Sequence, residues 1–138
     1  MFYISRRTGI GRMNARLQRH VQIAVGEALK STHPKARLGA IIFHKGVIIG
    51  KGYNQAKTHP LIKRWYPKYD FHMHAEMDAV ISARGEVAGC DIMVIRILKS
   101  GALACSKPCA NCLAMLVAHR LRRLHYVDED LQFYEEKI

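Results

Sequence analysis

The sequence predicts an α/β fold in which helices cover both faces of a mixed sheet, and two observations support this. Apolar residues recur at helical spacing in three segments, and short apolar runs rich in β-branched residues lie between them. The predicted order is α-β-β-α-β-α-β, which gives a sheet that is antiparallel at one hairpin and parallel at the crossovers. We expect a three-layer α/β/α sandwich with about four to five strands. Residues 1–138 should form a single domain.

The first helix and the hairpin after it are predicted from local patterns. Helical spacing of apolar residues runs over 12–29, and Asn14 is a suitable N-cap. The runs 38–43 and 47–49 are β-branched and bounded, and the short turn 44–46 (His-Lys-Gly) joins them.

Helices and strands alternate in the rest of the chain. Residues 53–73 form a long loop rich in aromatic and basic residues, and a loop of this length in a small domain is usually functional. A helix is predicted over 74–84, a strand over 91–98, a second helix over 109–119 and a last strand over 121–127.

The charge is positive and unevenly distributed. The net charge is +11, with fourteen Lys or Arg and the single acid Glu27 in residues 1–69. We interpret residues 1–11 as a basic, flexible arm and residues 128–138, with five acids and one Lys, as an acidic tail. A basic half favours polyanionic partners such as nucleotides, nucleic acid or an anionic membrane. Solubility, or a basic face that meets the acidic tail in an oligomer, would explain the charge equally well.

Cysteine usage and hydropathy indicate the compartment. No apolar run approaches the ~20 residues of a membrane helix, and no apolar stretch follows the N-terminal arginines as in a signal peptide. Four cysteines, three of them within 105–112, are too few and too clustered for a disulfide scaffold. The spacing Cys109-x-x-Cys112 is typical of metal or redox chemistry in a reducing compartment. We therefore expect a cytoplasmic protein without a membrane partner.

Two short stretches, "HAE" at 74–76 and "PCANC" at 108–112, stand at predicted helix starts. A spacing of three puts the sulfurs of Cys109 and Cys112 on one side of a first helical turn, where the helix N-terminus favours thiolates. With His74 they make three protein ligands and leave a fourth tetrahedral position for water, which is the arrangement of a catalytic zinc.

The carboxylate in the first stretch, Glu76, predicts a proton-transfer step. A catalytic zinc lowers the pKa of its water toward ~7, so that hydroxide is available at neutral pH. Glu76 lies two residues from His74, too close to be a comfortable fourth ligand. It is well placed to take the proton of the water and to deliver protons to a leaving amine.

The two stretches in this order resemble the H-x-E and P-C-x-x-C signature of zinc deaminases. Over about 12–127 the chain is similar to the cytidine and deoxycytidylate deaminase superfamily, which implies Zn²⁺-dependent deamination of cytosine in a nucleoside or nucleotide. "GYN" at 52–54 resembles the deoxycytidylate and tRNA adenosine deaminase branch, in which the asparagine contacts the nucleoside. The resemblance thus implies a substrate contact for Asn54, and Ala75 is also predicted to bind substrate. Tyr126 at the end of the last strand either faces the pocket or belongs to the core.

The long loop could contribute to binding. Lys63 and Arg64 could hold a substrate phosphate, and the aromatic side chains of Trp65, Tyr66 and Tyr69 could stack a base. The alternative is a self-packed loop with a solvated basic rim.

Other functions are compatible with parts of the pattern. Cys105 extends the cysteine pattern to C-x-x-x-C-x-x-C, the spacing of some iron–sulfur proteins, but such a cluster leaves "HAE" unexplained. Cys105 could instead close a structural Cys₃His zinc site, and a thioredoxin-like Cys-x-x-Cys has no other support. The alternative functions are editing of adenosine or cytosine in tRNA or single-stranded DNA, and a non-catalytic zinc-containing module that binds nucleic acid.

A sheet that ends at about four strands leaves an exposed edge. Relatives are commonly oligomeric, and the acidic tail could dock on the basic half of a neighbouring chain. We therefore predict a homo-oligomer, at least a dimer.

Overall fold

A mixed sheet forms the middle layer of the fold in the computed structural model. The structure describes residues 13–66 and 72–138, together with the backbone of residues 5–8. In chain order the elements are β1 (Ser5–Thr8), α1 (Ala15–Ala28), β2 (Arg37–His44), β3 (Val47–Tyr53), α2 (Pro60–Trp65), α3 (Ala75–Ser82), β4 (Asp91–Ile97), β5 (Leu103–Ala104), α4 (Ala110–Ala118), β6 (Arg123–Val127) and β7 (Phe133–Lys137). Within these described ranges the sheet has seven strands in the order β1-β7-β6-β4-β2-β3, with the short β5 paired to β4.

Alternate residues of the central strands point to opposite helical layers. On β2, Ile41 and Phe43 belong to the core cluster that contains α1. Ala40 and Ile42 belong to the cluster that contains α2, α3 and α4. The three-layer α/β/α arrangement is therefore confirmed, and each side of the sheet buries its own apolar row. No helix in the described ranges is long and apolar enough to cross a membrane.

The strand directions also agree with the prediction. β2 pairs antiparallel with both β3 and β4, whereas β4 and β6 are parallel. The hairpin turn has positive φ at Lys45 and Gly46, 49° and 83°, as a tight turn between twisted strands requires. Asn14 caps α1, because its Oδ1 accepts the N–H of Leu17 at 2.9 Å.

The sheet is wider than expected at one edge. Residues 133–137 in the predicted acidic tail form β7, which pairs with β6, and residues 5–8 in the predicted flexible arm form β1, which pairs with β7. Periodicity did not reveal β7, since only its first residue, Phe133, is fully buried. The rest of the predicted arm, residues 1–4 and 9–11, lies outside the described residues.

These two strands cover the edge that motivated the predicted oligomer. The edge of β6 is paired within the chain, so the acidic segment already has a place in its own sheet. The homo-oligomer stays a prediction, and β3 is the edge of the sheet on the other side.

The predicted loop 53–73 contains the short helix α2. His59 is its N-cap, with Nδ1 accepting the N–H of Leu61 at 3.1 Å, and Pro60 occupies the first helical position. An isolated bridge between Gln55 and Met73 closes the segment at its base. Residues 67–71 are outside the described part.

Candidate metal centre and active site

The first residues of α3 and α4 face each other on one side of the sheet. His74 is the N-cap of α3, but its side chain makes no capping hydrogen bond, which leaves the imidazole directed elsewhere. Cys109 is the N-cap of α4, and its Sγ accepts the N–H of Cys112 at 3.4 Å. The spacing of three therefore brings both sulfurs to one helix start, as the sequence predicts.

The three predicted ligand atoms converge. Nδ1 of His74 lies 3.4 Å from Sγ of Cys112 and 3.9 Å from Sγ of Cys109. All three atoms are within 4.8 Å of one another. A tetrahedral zinc with Zn–S near 2.3 Å and Zn–N near 2.0 Å separates such atoms by about 3.5 Å. The donor set and its spacing therefore fit one zinc ion. Cys105 is not a member of this group.

The two thiols differ in their tendency to ionise, because they are hydrogen-bonded to each other and Cys112 is the more deeply buried. A hydrogen bond from Cys112 lowers the pKa of Cys109 to about 4, although burial opposes this. Burial raises the pKa of Cys112. Burial by itself would lower the pKa of His74, but the hydrogen bond with Cys109 and the charge of Glu76 raise it. The site thus concentrates negative charge that a divalent cation would neutralise.

Glu76 lies beside the predicted ligands in the first turn of α3. Only 4% of the residue is exposed, and burial raises the pKa of its carboxyl. Burial therefore favours the protonated form of the carboxyl, and a buried carboxyl at this position could accept and return a proton in general acid–base catalysis.

Small residues allow α3 to lie directly on β3. A Cβ at Gly50 would come within 2.5 Å of the carbonyl oxygen of Ala79, and one at Gly52 within 2.6 Å of the carbonyl oxygen of Ala75. Any larger residue at these two positions would push α3 away from the sheet, at its first turn for Gly52 and further along the helix for Gly50. Asp78 completes the attachment by accepting the N–H of Tyr53 at 3.1 Å.

Ser106 fixes the approach to α4. Its Oγ donates to the carbonyl of Val94 at 2.6 Å and accepts the N–H of Val127 at 2.9 Å. The segment that leads to Cys109 is thereby tied to β4 and β6, two strands of the central sheet.

A cavity of about 290 Å³ opens beside the metal-ligand cluster. Asn54, Ala75 and Glu76, all predicted as site residues, line it. The amide of Asn54 donates to the carbonyl of Ala36 and accepts the N–H of Leu38, both at 2.8 Å. These two bonds fix the orientation of the amide where it meets the cavity, and its role toward substrate stays a prediction.

Three other predicted residues are not brought to this cavity. Lys63 and Arg64 are exposed on α2, with the guanidinium of Arg64 5.5 Å from the ring of Trp65. Tyr126 is buried in the core, and its hydroxyl donates to Glu136 at 3.3 Å. The cavity is instead lined by Arg96, Lys107, His33 and His72.

Tyr66 has a role that its position in a basic loop did not indicate. It is fully buried, its hydroxyl lies 2.6 Å from Sγ of Cys112, and its ring stacks on His74 with centroids 4.2 Å apart. Burial raises the pKa of Tyr66, so the hydroxyl keeps its proton and would donate it to the Cys112 sulfur when that sulfur is a thiolate metal ligand. Tyr66 therefore supports two of the predicted ligands and is not exposed for base stacking.

Tyr66→Phe is expected to lower zinc affinity about 10–100-fold, the usual effect of losing a hydrogen bond to a metal ligand. The ring and its stacking on His74 are retained, so the fold should be preserved. Competition with a chromophoric chelator measures the affinity. Tyr134→Phe, which removes a tyrosine hydroxyl on β7, is the control. Equal affinities of Tyr66→Phe and wild type would contradict the proposed support.

A second group of metal-type ligands lies at the other end of β4. Asp91, His125 and Glu135 have ligand atoms within 4.8 Å of one another. Asp91 bonds to Arg122 and to His125, each at 3.1 Å, and Glu135 bonds to Arg123 at 3.2 Å. Arginines already neutralise both carboxylates, so we interpret this group as an ion-pair network between β4, β6 and β7.

Comparison with known proteins gives a match to a protein family. A family model described as the cytidine and deoxycytidylate deaminase zinc-binding region matches residues 14–128. No curated protein sequence matches the chain.

Solved structures show a similar fold. The apo dCMP deaminase of the cyanophage S-TIM5 superposes with a TM-score of 0.63 at 18% identity, covering 85% of this chain and 86% of that one. The same phage enzyme in complex with dCMP and dUMP gives a TM-score of 0.58 at 17% identity, covering 82% of each chain. Cytidine deaminase from Burkholderia pseudomallei gives 0.61 at 17% identity, covering 91% of this chain and 93% of that one.

Proposed function

The chain belongs to the cytidine and deoxycytidylate deaminase family, and we propose that it is a zinc-dependent hydrolytic deaminase of a cytosine nucleoside or nucleotide. One observation carries the proposal. The ligand atoms of His74, Cys109 and Cys112 converge beside a cavity whose wall also contains the buried carboxyl of Glu76. A metal-ligand set and a proton-transfer group beside one small-molecule cavity are what hydrolytic deamination requires.

The chemistry divides between these side chains. His74, Cys109 and Cys112 would hold the zinc, which when bound supplies the Lewis acidity that activates water at neutral pH. Glu76 would accept a proton from the attacking water on its carboxylate and donate a proton to the exocyclic nitrogen as the amine leaves. One water is consumed, a carbon–oxygen bond replaces a carbon–nitrogen bond, and ammonia is released.

Deamination within tRNA or single-stranded DNA is the second candidate. A neighbouring basic cleft lined by Lys35, Arg37 and Lys99 shares His33 with the cavity. A strand could follow such a surface with several phosphates. We favour the free nucleoside or nucleotide, because the family model that matches residues 14–128 is described as that of cytidine and deoxycytidylate deaminases.

Ammonia release from small substrates tests the proposal. The zinc-loaded chain is incubated with cytidine, deoxycytidine, deoxycytidylate and a cytosine-containing single strand at low and moderate salt. We expect turnover of at least one small substrate, with a gentle decrease as salt rises. Turnover of the strand alone, with a steep log–log salt slope, would support editing. Zinc binding without ammonia from any substrate would support the non-catalytic module.

A further inference from the structure

Arg96 is a charged residue in an otherwise apolar row of β4. Ile92 and Val94 of this row are fully buried in the core cluster beneath α3 and α4. Two residues further along the strand, alternation directs Arg96 to the same side of the sheet. There it lines the cavity together with Asn54 and Glu76.

The guanidinium of Arg96 is not fully paired within the described part of the chain. Its Nε is buried and has no hydrogen-bond acceptor among the described residues. The arginines Arg37 and Arg122 differ, because the first donates to the carbonyl of Leu98 at 2.7 Å and the second pairs with Asp91. A buried N–H of a cation without an acceptor is costly. Its position in a cavity wall indicates that a ligand supplies the acceptor.

Lys107 brings a second positive charge to the same cavity. It follows Ser106, whose anchoring to β4 and β6 fixes the backbone at this point. The side chain is exposed and lines the cavity. Within the lining set, Glu76 and Cys109 belong to the proposed reaction centre, and the other permanently charged groups are the two cations Arg96 and Lys107.

His33 adds a neutral donor. Its Nδ1 accepts the N–H groups of Lys35 and Ala36, at 3.1 and 3.0 Å. The neutral ring therefore carries its proton on Nε2. Since His33 also lines the cavity, this side of the cavity offers donors, which suits an anion with several acceptor oxygens.

We propose that Arg96 and Lys107 bind the phosphate of a nucleoside monophosphate whose base is deaminated at the metal centre. This inference rests on the proposed function and narrows it from nucleoside or nucleotide to nucleotide. It also transfers the predicted phosphate contact from Lys63 and Arg64, which lie outside the cavity, to residues within it. A guanidinium and an ammonium on one phosphate give charge-assisted hydrogen bonds, which are the strong ones.

The test compares deoxycytidylate with deoxycytidine, which differ only in the phosphate. We measure the ratio of kcat/KM for the nucleotide to kcat/KM for the nucleoside. In Arg96→Gln this ratio is expected to fall about 10–100-fold, which is the effect of losing one or two hydrogen bonds to a charged group. Lys107→Ala should lower the same ratio less, because its ammonium is solvated. Arg64→Gln and Lys63→Ala are the matched controls on α2 and should leave the ratio unchanged. Arg96→Lys should restore part of it.

Equal losses for both substrates in Arg96→Gln, or a fall of the ratio in Arg64→Gln, would overturn the proposal. So would turnover of a single strand alone. Binding of inorganic phosphate, measured by calorimetry on the zinc-loaded chain, separates this inference from the proposed function. Phosphate binding that Arg96→Gln abolishes and Arg64→Gln retains would support the anion site even if no substrate is deaminated. Deamination with no preference for the nucleotide would refute the anion site and leave the proposed function intact.

Discussion

Glu76→Gln is expected to retain zinc and the native fold while kcat falls about 10²–10⁴-fold, the usual contribution of general acid–base catalysis. Glutamine has nearly the same shape as glutamate, but its amide can neither accept the proton of the water nor return one to the leaving amine. Because Glu76 is only 4% exposed, solvent is poorly placed to replace it. Ammonia release and zinc content, measured on the same preparation, separate the chemical step from metal binding.

Glu86→Gln provides the matched control for this variant. Glu86 is an exposed carboxylate just beyond α3, and its neutralisation should leave turnover unchanged. A Glu76→Gln protein with near-normal turnover would show that another group moves the protons. Loss of zinc from Glu76→Gln would instead show that the carboxyl group helps to hold the metal.

Cys109→Ala is expected to lose essentially all bound zinc. Two protein ligands remain, and tetrahedral zinc sites in proteins use at least three. Cys109 is exposed, so its truncation leaves no cavity in the core. Cys112→Ala would be less informative, because Cys112 is buried and also contacts Tyr66. Zinc content by atomic absorption gives the first readout.

Metal loss should also lower thermal stability, because the proposed zinc joins the starts of α3 and α4 and its binding free energy adds to that of folding. Differential scanning calorimetry with and without added zinc measures this effect. Cys105→Ala is the control and should keep its zinc, since Cys105 lies outside the ligand cluster. If Cys105→Ala emptied the site, the open fourth position and with it the catalytic interpretation would fail.

Local spacing was sufficient to predict that His74, Cys109 and Cys112 lie together. Cys109 and Cys112 share one helical turn, and His74 and Glu76 begin another helix, so each half of the site is specified within a few residues of chain. The layer order follows from periodicity in the same local way, since each apolar row requires a partner layer. The family resemblance, which the match over residues 14–128 confirms, rests on these same short motifs.

The wall of the cavity depends on contacts between residues that are distant in sequence. Arg96 reaches this wall because strand alternation places its side chain on the face of β4 that α3 covers. Tyr66 meets Cys112 across 46 positions of sequence, and no local pattern distinguishes it from its exposed neighbours Lys63 and Arg64. Likewise, β1 and β7 come from opposite ends of the chain and pair with each other at the sheet edge. Whether a segment pairs as a strand, and how deeply its side chains are buried, depends on the neighbouring strand or helix as well as on the segment's own sequence. The sequence of one segment therefore does not reveal either property.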